Sequence, residues 1–87
     1  MARIEIYTES ACTICRRAVL MLDELGFAYD EISVDGDKAR RSEMVMRSVG
    51  RRNVPQIFIE DQHIGSLDEL MAMEETGELR NLLEPAA

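Results

Sequence analysis

The feature that most restricts how this chain folds is Cys12-Thr13-Ile14-Cys15, which holds both cysteines of the sequence. Arg3 to Tyr7, just ahead of it, alternates polar and apolar residues, which predicts a strand with Ile4 and Ile6 on one face. Beyond it, Ile14, Ala18, Met21, Leu22 and Leu25 recur at helical spacing, and Gly26 supplies a stop. A cysteine pair at a strand-to-helix junction points to redox chemistry. The start of a helix leaves backbone N–H groups unpaired and carries partial positive charge, so a sulfur held there ionises more readily. Such positions lower a cysteine pKa from about 8.5 to roughly 3.5–7.5. The thiolate is the nucleophile of disulfide exchange, and a second thiol within reach closes a disulfide behind it.

The rest of the chain supplies a scaffold for that junction. Phe27 to Val34 predicts a second strand with Ile32 and Val34 facing inward, and the helix between implies a parallel pair with a right-handed crossover. Asp35-Gly36-Asp37 is a turn and helix start; the helix that follows is expected to carry Ser42, Val45, Met46 and Val49 on one side and to end at Gly50. Asn53-Val54-Pro55 breaks the pattern before a short strand, 56–59, and Glu60-Asp61 turns the chain into a returning strand, 62–65. Ser66-Leu67-Asp68-Glu69 fits a capping box, with Leu67, Leu70 and Met71 as the buried stripe of its helix. Gly77 separates a short final helix bearing Leu79, Leu82 and Leu83. The order βαβ-α-ββα plus a terminal helix is α/β: a four-stranded mixed sheet flanked by helices on both faces, with residues 1–87 as a single domain.

Composition narrows the chemistry. Eighty-seven residues, 46 % of them apolar, suffice for one core and exclude a disordered chain. No run approaches the ~20 apolar residues of a membrane span, and Met1-Ala2-Arg3-Ile4-Glu5 has no apolar signal core, so a cytosolic location is expected. There a cysteine pair is catalytic or metal-binding rather than a permanent bridge. The net charge of −7 argues against nucleic acid. Arginines nevertheless cluster as Arg16-Arg17, Arg40-Arg41 and Arg51-Arg52, which points to a small anionic ligand, although any single one is accounted for by neighbouring acids. Two cysteines and one histidine are too few for a four-ligand zinc site in one protomer. His63 is expected at a surface or edge, and Met44, Met46, Met71 and Met73 as core filler and partly exposed apolar surface.

Cys12-x-x-Cys15, Asn53-Val54-Pro55-Gln56-Ile57-Phe58-Ile59 and His63-Ile64-Gly65-Ser66-Leu67-Asp68-Glu69-Leu70 together resemble the signature segments of the glutaredoxin family. Length and element order are similar to its short bacterial dithiol members over essentially the whole chain. The resemblance implies a thioredoxin-like fold and a glutathione-dependent thiol–disulfide oxidoreductase, monomeric, acting on glutathionylated or disulfide-bonded proteins, with no nucleic-acid or membrane partner. It implies Cys12 as the attacking and Cys15 as the resolving sulfur. It also implies a cis Pro55 that turns the Val54 backbone toward bound glutathione, Leu67 N–H and Asp68 at its γ-glutamyl end, and Arg41, Arg51 or Arg52 at its glycine carboxylate.

The chain departs from the family pattern at Thr13-Ile14, where Pro-Tyr is common, and at Glu9, where a lysine is common. Asn53 and Ser66 differ from the usual Thr and Gly. Ile14 removes an aromatic edge beside the site, and Glu9 removes a cation that would support the thiolate and meet the ligand. Two alternatives stand beside the oxidoreductase: a dimer carrying a [2Fe–2S] cluster on two Cys12 thiolates and two glutathiones, and a redoxin reduced by thioredoxin reductase.

Overall fold

The structure, a computed structural model, describes residues 2–83. Its central strand, β1 (Ile4–Thr8), is buried along its whole length because helices cover the sheet on both sides. Ile4 and Ile6 enter one core with Ala18, Leu22, Ile57, Ile59 and Leu70. Tyr7 points into a second, smaller core with Val34, Met44 and Phe58. The side-chain alternation of a strand sorts the two sets.

The sheet is mixed and four-stranded in the order β2-β1-β3-β4. β1 runs parallel to β2 (Asp30–Ser33), as the helical crossover requires, with Tyr7 beside Ile32. It runs antiparallel to β3 (Gln56–Ile59), with Ile6 beside Ile57. The β3–β4 (Gln62–Gly65) hairpin turns on Glu60 and Asp61, both with positive φ, at 49° and 66°. Two positive φ values are what a tight hairpin turn needs, here met without glycine.

α1 (Thr13–Leu25) buries Cys15, Ala18, Val19 and Leu22 and ends at left-handed Gly26. Ile14 is corrected from the predicted buried stripe: it is 49 % exposed, because Cys15 takes the inward position in the first turn. α2 (Lys38–Arg47) is capped by Asp37, whose Oδ1 accepts the Arg40 N–H at 3.0 Å. Of its predicted stripe, Val45 packs against the smaller core, whereas Ser42 is exposed and the rest is out of phase. Met44 and Ser48 face inward, whereas Met46 is 80 % and Val49 92 % exposed. Cations and hydroxyls replace hydrocarbon here: the Arg47 guanidinium lies 4.1 Å from the Phe58 ring centre, and the Ser48 hydroxyl donates to the Met44 carbonyl at 2.7 Å. α3 (Leu67–Thr76) buries Leu67 and Leu70, while Met71 is exposed and Met73 packs against the larger core in its place. α4 (Glu78–Leu83) buries Leu79 and Leu83, one turn apart, and turns Leu82 outward. No helix among the described residues is long and apolar enough to cross a membrane.

Candidate active site

Cys12 and Cys15 are joined as a disulfide, with Cα atoms 5.2 Å apart, at the point where the loop after β1 enters α1. Cys12 is the N-cap of that helix, in extended conformation, and its carbonyl accepts the Arg16 N–H at 3.2 Å. The Cys15 N–H donates to Cys12 Sγ at 3.0 Å. An orphan N–H of the first helical turn is therefore spent on sulfur rather than on an oxygen cap. Cys12 is partly exposed, and Cys15 is fully buried beneath it at 0 % exposure. Of this pair, only Cys12 is open to an incoming sulfur.

The loop ahead of β3 approaches from the other side. The Val54 carbonyl oxygen lies 3.9 Å from Cys12 Sγ, and the Val54–Pro55 peptide is cis. Buried side chains hold this loop. Gln56, completely buried, donates its Nε2–H to the Asn53 carbonyl at 2.9 Å and sets its Oε1 2.7 Å from His63 Nε2. Because the Gln56 amide nitrogen is committed to Asn53, its oxygen accepts and the imidazole Nε2–H donates. Burial lowers the His63 pKa, the nearby Arg51 charge lowers it further, and Glu69 partly opposes both. Ser48 Oγ ties the preceding turn by accepting the Arg51 N–H at 3.2 Å. His63 sits, as expected, at an edge of the sheet, on the outer strand β4; it is partly buried there and supports the loop through Gln56.

At the start of α3 the capping box forms, with the Ser66 N–H donating to Glu69 Oε1 at 2.6 Å. Gly65, at φ +122°, makes room for it: a Cβ there would stand 2.8 Å from Glu69 Cδ. Leu67 packs into the core and shares a surface groove with Arg17 and Met21 of α1. Asp68 is exposed at the first turn of α3, with no ion pair among the described residues.

The three arginines differ. Arg41 is partly enclosed; it pairs with Glu9 and donates Nη1–H to the Arg52 carbonyl at 2.9 Å. Arg51 is exposed and reaches Glu69 at 4.0 Å. Arg52 is exposed and lines a groove of about 570 Å³ with Lys38, Arg41, Ser42, Val45 and Met46. Thr13 and Ile14 are both exposed on the rim beside Cys12.

Sequence reasoning did not single out Gln56, Ser48 or a third support, Thr8. Thr8 is 1 % exposed, and its hydroxyl donates to Glu31 Oε2 at 2.7 Å, which Arg16 also pairs. Burial pushes the Glu31 carboxyl up, but the Thr8 hydroxyl and the Arg16 guanidinium outweigh it and hold it below its ordinary value. Arg16 directly follows Cys15, so this group ties the first turn of α1 to β2. Thr8, at the end of a strand that already carries the polar Glu5, gave no separate signal in the sequence. No cluster of three or more His, Cys, Asp or Glu among the described residues is arranged to hold a metal ion.

Comparisons with known proteins agree with this geometry. The family model described as Glutaredoxin matches residues 4–64. Glutaredoxin 3 of Escherichia coli strain K12 is 48 % identical over 84 residues, 97 % of this chain and 100 % of that protein. The solution structure of glutaredoxin from Brucella melitensis superposes with a TM-score of 0.83 at 39 % identity, covering 97 % of this chain and 90 % of that one. The crystal structure of a buckwheat glutaredoxin–glutathione complex superposes with a TM-score of 0.82 at 29 % identity, covering 92 % of this chain and 74 % of that one. This chain therefore belongs to the glutaredoxin family of glutathione-dependent thiol–disulfide oxidoreductases.

Proposed function

We propose that Cys12 is the attacking sulfur and Cys15 the resolving one. The observation that carries the assignment is the setting of Cys12 Sγ, partly exposed at a helix N-terminus with the Cys15 N–H 3.0 Å away, while Cys15 itself is buried. In the reduced protein that N–H and the helix start favour the thiolate. Cys12 thiolate attacks the glutathione sulfur of a glutathionylated protein; the protein thiolate leaves and Cys12 carries glutathione. A second glutathione thiolate attacks that glutathione sulfur, releasing glutathione disulfide and restoring the Cys12 thiolate. On a protein disulfide, Cys12 thiolate attacks one sulfur and the first substrate thiolate leaves; Cys15 thiolate then attacks Cys12 Sγ of the mixed disulfide and the second substrate thiolate leaves. The product is the Cys12–Cys15 bridge, which two glutathiones then reduce.

In this reading Val54 and Pro55 face the cysteinyl backbone of glutathione, in keeping with likeness to a relative solved with glutathione. Leu67 N–H and Asp68 receive the γ-glutamyl end: a helix N-terminus suits its carboxylate, and the exposed Asp68 suits its ammonium. Arg41, Arg51 and Arg52 border the glycine end. Its substrates are glutathionylated and disulfide-bonded proteins, its working state a monomer and its compartment a reducing one such as the cytosol. Cys12→Ser should abolish all exchange. Cys15→Ser should keep deglutathionylation of a glutathionylated peptide and lose reduction of a protein disulfide. Retained deglutathionylation in Cys12→Ser would overturn the assignment.

A second reading rests on the exposure of Cys12, Thr13 and Ile14 on one rim. Thr13 keeps an N–H that proline would lack, which loosens the loop so that it can accept a second protomer. One chain offers two cysteines, of which Cys15 is buried, so in this reading a [2Fe–2S] centre takes Cys12 from two chains and two glutathione thiolates. Anaerobic reconstitution with iron, sulfide and glutathione tests it: a coloured dimer that needs Cys12 but not Cys15 supports this reading. A colourless monomer that still binds glutathione removes it.

A further inference from the structure

Arg41 is more enclosed than Arg51 or Arg52, and its charge is already answered within the chain. Its Nη2 is paired with Glu9, three residues before Cys12, and its Nη1 donates at 2.9 Å to the carbonyl of Arg52, two residues before Val54. Asp35 also lies close enough to interact with the same guanidinium. Arg41 thus bridges the two loops flanking Cys12 Sγ, with a carboxylate of its own chain seated on it.

We propose that Glu9 is a specificity-determining residue. Its carboxylate occupies the guanidinium that a γ-glutamyl-cysteinyl thiol would otherwise use for its C-terminal carboxylate. The site then accepts such thiols whether that end is a free acid or a neutral amide. The inference rests on the glutathione-dependent reading above and adds to it a class of thiol.

The electrostatics run in one direction. A ligand carboxylate arriving at the Glu9–Arg41 pair either displaces Glu9 or becomes a second anion on one cation. Displacement exchanges one charge-assisted pair for another of the same kind, so little is gained. Addition sets two like charges close together, which is unfavourable. A terminal amide meets neither obstacle, and its N–H can donate to Glu9. Lys38 and Arg52, exposed on the same groove and without ion pairs among the described residues, do not restore the preference, since exposed charges in water contribute little.

The test is the quotient of kcat/KM for glutathione over kcat/KM for glutathione amidated at its glycine carboxyl, with one glutathionylated peptide as substrate. Both thiols meet the same sulfur, so any effect of Glu9 on Cys12 cancels in the quotient. The native protein should give a quotient within about threefold of unity. In Glu9→Gln, with the charge gone and the shape kept, it should rise about tenfold or more toward the free acid. Arg41→Gln added to Glu9→Gln should return it to the native value. A native quotient above about threefold, a rise below threefold in Glu9→Gln, or a rise that survives loss of Arg41 would each overturn the inference. Turnover with neither thiol would overturn the glutathione-dependent reading and this inference with it. Turnover with both and an unmoved quotient would overturn this inference alone.

Discussion

His63 Nε2 lies 2.7 Å from Gln56 Oε1, and the same buried Gln56 side chain donates to the Asn53 carbonyl at 2.9 Å. The two bonds carry the position of β4 through β3 into the loop that sets Val54 beside Cys12. His63→Ala leaves a buried acceptor without its partner, which typically costs about 1–3 kcal/mol. Chemical denaturation should show a loss of that order. The KM for glutathione should rise while the pH profile of Cys12 alkylation stays put, since the histidine acts on the loop and not on the sulfur.

The same histidine sets a pH dependence of stability. Its pKa in the folded protein is lowered below 6.5 by burial first and Arg51 second. Between the folded and unfolded values, the unfolded chain binds the extra proton, so stability rises with pH there. Its contribution is complete above about pH 6.5 and is lost as pH falls through that value toward the lower folded pKa. Denaturation midpoints measured from about pH 5 to 8 should show this slope, and His63→Gln should flatten it.

Gly65 is the glycine on which the start of α3 depends. Its φ of +122° and the closeness of the Glu69 carboxylate leave no place for a side chain. Gly65→Ala should destabilise the fold by roughly 1–3 kcal/mol and disturb the Ser66–Glu69 cap beside Leu67 and Asp68. Thermal unfolding combined with glutathione titration would register both effects.

Asp68 has no ion pair among the described residues, so its removal tests ligand recognition with little structural interference. A charge-assisted contact to the ligand ammonium contributes about 1.5–3 kcal/mol, so Asp68→Ala should raise the KM for glutathione roughly ten- to over a hundredfold. Unchanged glutathione kinetics would leave Asp68 as an ordinary acidic residue at a helix start.

Much of the architecture was legible because the punctuation is local. Gly26 stops α1, Ser66 and Glu69 start α3, and Pro55 marks the loop before β3. The strand-to-helix position of Cys12 follows from the same local signals. The inward face of α2 did not, because Arg47 covers Phe58 and Ser48 satisfies its own hydroxyl on the Met44 carbonyl, so polar residues hold positions that periodicity assigns to Met46 and Val49. Pairs that meet only after folding, such as Glu9 with Arg41 and His63 with Gln56, leave no mark in spacing. The departure at Glu9 was visible in sequence; the arginine it neutralises was not.

The most direct test of the redox assignment starts from the oxidised protein, with the Cys12–Cys15 bridge closed. One sample receives glutathione, glutathione reductase and NADPH; the other receives thioredoxin reductase and NADPH. Free thiols are then counted by alkylation and mass spectrometry. The account predicts that glutathione restores both thiols and thioredoxin reductase does not. Recovery with thioredoxin reductase alone, and none with glutathione, would contradict it.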